Sequence, residues 1–210
     1  MKKYKTSNDR RVEIKYDITD YPTSLIINKL SLKEIFRERA INSLYYDTLD
    51  FEYYRLSHEG IVPRKKVRIR YYKKKELFLE IKKQDFLSKF KIVEKLKDYR
   101  DINKSLNKLG IFEKLIPVIQ VSYNRRYFQS NFGRITIDSD ISFNKFNCDS
   151  SIYFSRQRKS IQKILEIKNQ NLGEFGLMSF SKLNLKNIRN SKYCIGIEEI
   201  FSNELKNGNF

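Results

Sequence analysis

The sequence has few of the residues that build disulfide-linked, zinc-binding or membrane-spanning proteins. Its two cysteines, Cys148 and Cys194, lie far apart in no CxxC or Cys/His pattern, so neither a disulfide framework nor a zinc site is indicated. The longest uncharged stretch runs only from Leu115 to Asn124, well short of the roughly 20 apolar residues of a spanning helix. The first residues are basic and polar and lack the apolar core of a signal peptide. We therefore expect a soluble protein in the reducing cytoplasm, without a transmembrane segment.

Several familiar catalytic motifs are missing as well. Nothing in the sequence resembles a P-loop, a Rossmann fingerprint or a Ser-His-Asp set. The single histidine, His58, lies in the stretch Ser57-His58-Glu59-Gly60, which is typical of a solvated turn or loop. Any chemistry is therefore expected from the charged side chains, which are abundant.

Positive charge is what the sequence has in excess. It contains 43 Lys and Arg against 25 Asp and Glu, a formal net charge of +18. Such a charge attracts a polyanion, for example nucleic acid, an anionic membrane or a phosphate chain, although runs such as Lys73-Lys74-Lys75 are expected to be ordinary solvated charge. With 210 residues, of which 40% are hydrophobic, the chain is expected to fold as one domain spanning residues 1–210. Its core covers about 11–200 and is followed by a polar tail.

Segments rich in Ile, Val, Tyr and Phe alternate with a period of two, which predicts β-strands. The predicted strands are residues 11–18, 41–46, 66–72, 77–83, 119–129, 134–143, 161–168 and 193–200. Helices are predicted after Pro22, over residues 98–109 before Gly110, and between residues 173 and 187. The pattern indicates an α+β protein that is mostly antiparallel β with a few flanking helices.

The predicted strands carry charge on one face and apolar side chains on the other. Lys66, Arg68 and Arg70 share one face of their strand, while Val67 and Ile69 share the other. Two architectures produce this pattern. Either the charged faces point to solvent in a basic sandwich, or they line a barrel whose apolar outside is covered by helices. The alternation alone does not choose between them.

Eight motifs follow one another in a recognisable order. They are RVEIKY at 11–16, INSLYYDT at 41–48, KVRIRYY at 66–72, LEIKK at 79–83, YNR at 123–125, RITID at 134–138, LEIK at 165–168 and SKY at 191–193. Together they resemble the polyphosphate polymerase domain of the vacuolar transporter chaperone (VTC) family, in the triphosphate tunnel metalloenzyme, or CYTH-like, superfamily. The resemblance implies an eight-stranded closed antiparallel tunnel with a charged interior, so it favours the barrel.

The same resemblance implies roles for individual residues. Phosphate-contacting catalytic residues are implied at Lys15, Arg68, Arg70, Lys82, Arg125, Arg134 and Lys192. Further substrate contacts are implied at Lys168, Ser191, Arg189, which stands where a lysine is usual, and either Lys89 or Lys91. Glu166 resembles the family's metal-binding glutamate, with Glu13, Glu80 and Asp138 as further Mg²⁺ or Mn²⁺ ligands or, alternatively, as partners of neighbouring Arg and Lys.

The implied function is metal-dependent phosphoryl transfer, in which ATP donates phosphate to a growing polyphosphate chain. A triphosphatase of the same fold is the alternative within enzymes, because water could replace the phosphate acceptor. A module that only binds polyphosphate or nucleic acid is the alternative of another class, with Tyr71, Tyr72, Tyr123 and Tyr127 as stacking platforms. We expect ATP and polyphosphate as partners and no nucleic acid.

Overall fold

The structure, a computed structural model, describes residues 12–72, 76–131, 133–146, 154–169, 180, 183–189 and 191–206. This part of the chain forms one ten-stranded sheet with four flanking helices. The strands are β1 (Val12–Asp17), β2 (Lys33–Asp47), β3 (Arg64–Tyr72), β4 (Glu76–Gln84), β5 (Lys89–Leu96), β6 (Ile116–Ser130), β7 (Gly133–Phe146), β8 (Phe154–Ser160), β9 (Ile164–Asn169) and β10 (Lys186–Asn187). The helices are α1 (Thr23–Lys29), α2 (Glu52–Glu59), α3 (Ile102–Lys108) and α4 (Lys192–Lys206).

The sheet is antiparallel throughout, as predicted. Its order is β10-β1-β9-β7-β6-β2-β3-β4-β5, and β8 pairs with β7 outside this path. The prediction of a closed eight-stranded barrel needs correction on two points. The sheet has ten strands, and within the described ranges no hydrogen-bonded ladder joins the edge strands β5 and β10. The sheet is therefore curved but open in its hydrogen bonding.

Helices cover the apolar outside of the sheet. The helix predicted after Pro22 is confirmed as α1, and its Ile26 packs with Ile135 and Ile167 of β7 and β9. The helix predicted at 98–109 is confirmed as α3 after a short 3-10 turn, and Leu106 packs with Ile69. Because these apolar faces are buried under helices, the charged faces of the same strands point to the concave side of the sheet.

The helix α4 packs against the concave side of the sheet near one end. Tyr193, Ile197 and Ile200 recur at helical spacing and are buried against β6 and β7. The prediction of a strand at 193–200 was wrong, because a short apolar run was interpreted with a period of two although its buried positions follow the helical period. Gly196 lies so close to the sheet that a Cβ there would be 2.6 Å from the Ile119 side chain.

The second unpredicted feature is the helix α2, which contains His58. Its first turn is fixed by a buried carboxylate, since the backbone N–H groups of Tyr53 and Tyr54 both donate to Asp47 at 2.9 Å. The hydroxyl of Tyr193 in α4 donates to the same carboxylate. His58 therefore lies in the last turn of a helix rather than in a loop, with its Nδ1 2.9 Å from Glu198.

Three strands were not predicted from the period of two: β5, β8 and the two-residue β10, which lies inside the helix predicted at 173–187. In β5 the alternation is broken, because Val93 pairs with Glu80 on the charged face while Glu94 pairs with Leu79 on the apolar face. The strand β8 is mostly polar and pairs only with β7 in the described part of the sheet. Residues 73–75, Cys148 and most of the helix predicted at 173–187 lie outside the described residues. None of the described helices is both long and apolar enough to cross a membrane.

Candidate functional site

Charged side chains from seven strands and α4 meet on the concave side of the sheet. We call this set the inner face; it consists of Glu13, Lys15, Lys66, Arg68, Arg70, Glu80, Lys82, Lys91, Arg125, Asp138, Glu166, Lys168 and Lys192. The two ends of the open sheet approach each other here, because Lys82 of β4 interacts electrostatically with Glu13 of β1 and Lys168 of β9. Cations outnumber carboxylates in this set, so the interior is positive.

Glu80 is the buried centre of one ion-pair cluster. It accepts hydrogen bonds from Arg68 at 2.9 and 2.5 Å and from Lys91 at 2.8 Å, and Arg70 lies 3.5 Å away. Burial alone would raise the pKa of Glu80, but Arg68, Arg70 and Lys91 hold it well below its usual range. The remaining Nη1 of Arg68 donates to the Tyr45 hydroxyl at 2.7 Å, which fixes the guanidinium in place.

Asp138 and Glu166 form a second cluster around Arg125. The Arg125 guanidinium donates to both Asp138 oxygens, at 2.6 and 2.7 Å, and lies 3.5 Å from Glu166. Lys192, at the start of α4, donates to Asp138 at 2.6 Å. Burial would raise the pKa of both carboxyl groups, but Arg125 and Lys192 lower that of Asp138, and Lys168 and Arg125 that of Glu166. Both are therefore ionised partners of the neighbouring cations.

A cleft of about 1010 Å³ opens from one end of the inner face. Several predicted phosphate contacts line it, namely Lys15, Lys82, Lys89, Lys91, Lys168, Arg189 and Ser191. The Lys82 side chain is accessible to solvent where it lines the cleft, although many protein atoms lie around it. It makes no ion pair with any described carboxylate. Desolvation, together with the positive charges of Arg68 and Lys168, lowers the pKa of Lys82 to about 7. This amine would gain a proton when an anion binds beside it.

Buried donors on the inner face also lack partners. Ser43 Oγ, Arg70 Nε and Thr136 Oγ1 are buried without a hydrogen bond to any described residue. Ser43 is paired in register with Arg70 across β2 and β3, and Thr136 lies two residues before Asp138 on β7. An unpaired buried polar group costs about 1–3 kcal/mol, so acceptor oxygens of a bound ligand would stabilise this arrangement.

The carboxylates that could hold a divalent metal ion are Glu13 and Glu166, on the adjacent strands β1 and β9. Lys168 lies between them, 3.5 Å from Glu13 and 2.7 Å from Glu166. No cluster of three or more His, Cys, Asp or Glu side chains converges within the described residues. All four predicted carboxylates are engaged by cations, and Glu13 and Glu166 differ from Glu80 and Asp138 in that they share one of them, Lys168. Because Mg²⁺ is commonly held by one or two carboxylates plus substrate phosphate, this pair fits an ion whose shell the substrate completes.

The remaining predicted residues do not all lie on the inner face. Arg134 shares its strand face with Thr136 but is exposed and does not line the cleft. Lys91 contacts Glu80 in the interior, whereas Lys89 lies two residues further out on β5. The four tyrosines named as stacking platforms do not form one surface, since Tyr71 points outward and donates to Gln120, and Tyr123 is buried.

Two residues of the site were not predicted. Lys66 lines the cleft and donates to Ser191 Oγ at 2.8 Å, and its position two residues before Arg68 was a usable signal. Tyr45 holds Arg68 and stacks on Tyr193 with ring centroids 4.8 Å apart. The sequence offered no signal for this role, because the contact depends on how α4 packs on the sheet.

Comparisons with known proteins agree with this geometry. The structure resembles that of an adenylate cyclase candidate from Bacillus halodurans, with 13% identity, a TM-score of 0.58 and coverage of 92% of this chain and 98% of that chain. It also resembles an adenylyl cyclase candidate from Hippeastrum with a dominant triphosphatase activity, with 12% identity, a TM-score of 0.55 and coverage of 90% and 96%. At such identities the likeness shows the CYTH-like tunnel fold alone.

No functionally curated protein sequence matches the chain. The VTC domain, however, matches residues 1–201, which is nearly the whole sequence. The order of the motifs, the tunnel fold and the inner face with its paired and unpaired cations all agree with this match. The chain therefore belongs to the VTC domain family.

Proposed function

We propose that the protein binds the triphosphate of ATP on the inner face and transfers its γ-phosphoryl group to the end of a polyphosphate chain. The observation that carries this proposal is the surplus of interior cations over carboxylates, with Lys82 unpaired among the described residues and Arg70 Nε left without an acceptor. A linear polyanion supplies both the missing negative charge and the missing acceptor oxygens.

The role of the residues is to position and neutralise the phosphates. Arg68 is held rigidly by Glu80 and Tyr45, so its guanidinium is oriented before the substrate arrives. Arg125 is oriented in the same way by Asp138. As an oxygen of the acceptor chain bonds to the γ-phosphorus, the bond to the β-phosphate oxygen breaks and ADP leaves. The interior cations stabilise the charge that develops on the phosphate oxygens, and this supplies most of the rate in such transfers.

A divalent ion, Mg²⁺ or Mn²⁺, on Glu166 and Glu13 would add charge neutralisation at the phosphate oxygens when bound. Metal dependence is a general property of tunnel-fold enzymes, and the two adjacent carboxylates are suitable donors for it. Asp138 and Glu80 act on the phosphates only through the cations that they hold, in this proposal.

Hydrolysis is the second candidate, and one observation favours it. The cleft beside Lys82 is large and open, so water can reach the end of a bound triphosphate. The triphosphatase activity of the Hippeastrum protein shows that a chain of this fold can release phosphate. Admission of water in place of the phosphate acceptor would convert the proposed transferase into such an enzyme.

The test is incubation with ATP and Mn²⁺ or Mg²⁺, followed by separate assays for long-chain polyphosphate, ADP and free phosphate. Polyphosphate formed together with ADP is the expected result. ADP and free phosphate without polyphosphate would identify a triphosphatase. Triphosphate binding without turnover would identify a binding module and contradict both enzymatic candidates. We propose the cytoplasm as the site of the reaction, since ATP is available there.

A further inference from the structure

The inner face differs at its two ends. Towards the cleft, the register of β3, β4 and β5 places Lys66, Lys82 and Lys91 side by side, followed by Arg64 and Lys89 one step further out. This end is cationic. Beyond the opposite end of the ion-pair clusters, the same strand faces carry aromatic rings.

We call this second end the aromatic mouth, and we define it by Phe36, Arg39, Tyr72, Phe78 and Tyr127. Tyr72 follows Arg70 on the charged face of β3, and its ring contacts Phe78 of β4 with centroids 6.3 Å apart. Tyr127 follows Arg125 on the charged face of β6, and its ring contacts Phe36 of β2 with centroids 6.0 Å apart. The rings of the mouth therefore come from four neighbouring strands, β6, β2, β3 and β4.

The rings of the aromatic mouth are not fully buried, although Tyr72 also packs against the core cluster that contains Tyr123. Phe36 is 53% exposed, and Tyr72 and Tyr127 are only partly buried. Both aromatic pairs are edge-on, with interplanar angles of 70° and 90°, so ring faces remain uncovered by the partner ring. The Arg39 guanidinium lies 5.3 Å from the Phe36 ring and 5.8 Å from the Tyr127 ring. The ring faces that remain accessible, together with the guanidinium that lies over the Phe36 and Tyr127 rings, are suited to bind a flat, electron-rich ligand group.

The spacing from the phosphate-binding cations fits a nucleotide. Arg70 and Tyr72 are two residues apart on one strand, as are Arg125 and Tyr127, which corresponds to about 7 Å along each strand. A triphosphate held by the two arginines would place its ribose across this interval. The base would then lie at the level of the rings.

We propose that the aromatic mouth stacks the base of the nucleoside triphosphate, so that the nucleotide enters from this end with its terminal phosphate pointing to the cationic cleft. The proposal rests on the proposed function, since it requires a triphosphate on the inner face. Stacking uses the ring face, which every base has, so the site selects nucleotides over inorganic phosphate chains without reading one particular base. A growing phosphate chain would leave through the cleft lined by Lys82, Lys89 and Lys91.

The test compares two ligands that share phosphates but differ in the base. A non-hydrolysable ATP analogue and inorganic tripolyphosphate are titrated calorimetrically into the wild type, Tyr72→Leu, Tyr127→Leu and the matched control Tyr99→Leu. Leucine keeps an apolar side chain at the position but removes the ring face. Tyr99 is a suitable control because its ring contacts Tyr71 on the outside of the sheet.

We expect Tyr72→Leu and Tyr127→Leu to weaken binding of the ATP analogue roughly 5- to 150-fold, the range for loss of one stacked base, with little change for tripolyphosphate. Tyr99→Leu should change neither. Unchanged binding of the ATP analogue, or equal losses for both ligands, would overturn the stacking site while leaving the phosphate site intact. A wild type that binds neither ligand would overturn the proposed function and the stacking site together. Retained tripolyphosphate binding also shows that each variant is folded.

Discussion

At the scale of single residues, Lys82 makes the site sensitive to pH. Its pKa of about 7 in the folded protein lies below the ordinary lysine value of 10.5, so the unfolded chain binds more protons between these two pH values. The contribution of Lys82 to stability therefore rises with pH through this window. The affinity for a triphosphate has the opposite pH dependence, because a bound triphosphate favours the charged form of the Lys82 amine. We expect triphosphate affinity to fall as pH rises above 7.

The proton taken up on binding can be measured directly. Titration of tripolyphosphate at pH 8, in buffers with different ionisation enthalpies, should show uptake of up to about one more proton by the wild type than by Lys82→Met. The methionine keeps most of the length of the side chain but cannot titrate. Equal proton uptake by the two proteins would show that Lys82 does not gain a proton when the ligand binds, and would contradict the role given to it here.

Glu166 and Glu80 are both buried carboxylates of the inner face, but we expect their roles to differ. Glu166→Gln should raise the Mn²⁺ concentration for half-maximal activity at least about tenfold, because it removes a ligand charge with little change in volume. Glu80→Gln should lower triphosphate affinity by releasing Arg68, but it should leave the Mn²⁺ requirement within about twofold of the wild type. Metal titrations of turnover, with folding checked by circular dichroism, compare them. A shared Mn²⁺ requirement in the two variants would argue that Glu166 only neutralises Lys168 and Arg125.

At the scale of elements, α4 holds Ser191, Lys192 and Tyr193 against the sheet, and Gly196 sets how closely it packs. A Cβ at Gly196 would lie 2.6 Å from Ile119 and 2.7 Å from Phe143. Alanine is more favourable than glycine in a helix interior by about 1 kcal/mol. An added methyl group in a well-packed core, however, costs about 1–3 kcal/mol. We expect Gly196→Ala to lower the free energy of unfolding by about 1 kcal/mol or more in urea titrations.

The control for this variant is Glu199→Ala, on the exposed side of the same helix. It should change the free energy of unfolding by less than about 0.5 kcal/mol. Gly196→Ala should also lower triphosphate affinity, because a displaced α4 moves Lys192 away from Asp138. A Gly196→Ala protein as stable as Glu199→Ala would mean that the helix adjusts without cost.

The same elements show how far sequence reasoning reaches. Strands such as β3 were predictable because Lys66, Arg68 and Arg70 alternate strictly with Val67 and Ile69. The helix α4 was not, because its short apolar run fits both periods and only packing on β6 and β7 decides between them. The ordered motifs contained most of the basic residues of the inner face, although Lys91 lies outside them and Lys66 was not predicted as a site residue. Their pairing could not be predicted, since the Glu80 and Asp138 clusters arise from contacts between strands and from α4.

At the scale of the whole molecule, the net charge of +18 must be separated from the organised site. Exposed charges are screened over about 8 Å at physiological ionic strength, so a surface lysine contributes little to anion binding. A partly desolvated guanidinium in hydrogen-bonding contact with phosphate contributes about 1.5–3 kcal/mol. Arg70, on the inner face, and Lys104, exposed on α3, carry the same charge in these two settings.

The most direct test is therefore to titrate tripolyphosphate into the wild type, Arg70→Ala and Lys104→Ala at physiological salt, with folding checked by circular dichroism. Arg70→Ala should weaken binding at least about tenfold, and Lys104→Ala should stay within about twofold of the wild type. Equal losses in the two variants would show that binding follows net charge rather than the inner face, and would contradict the account of this protein as a triphosphate-binding tunnel.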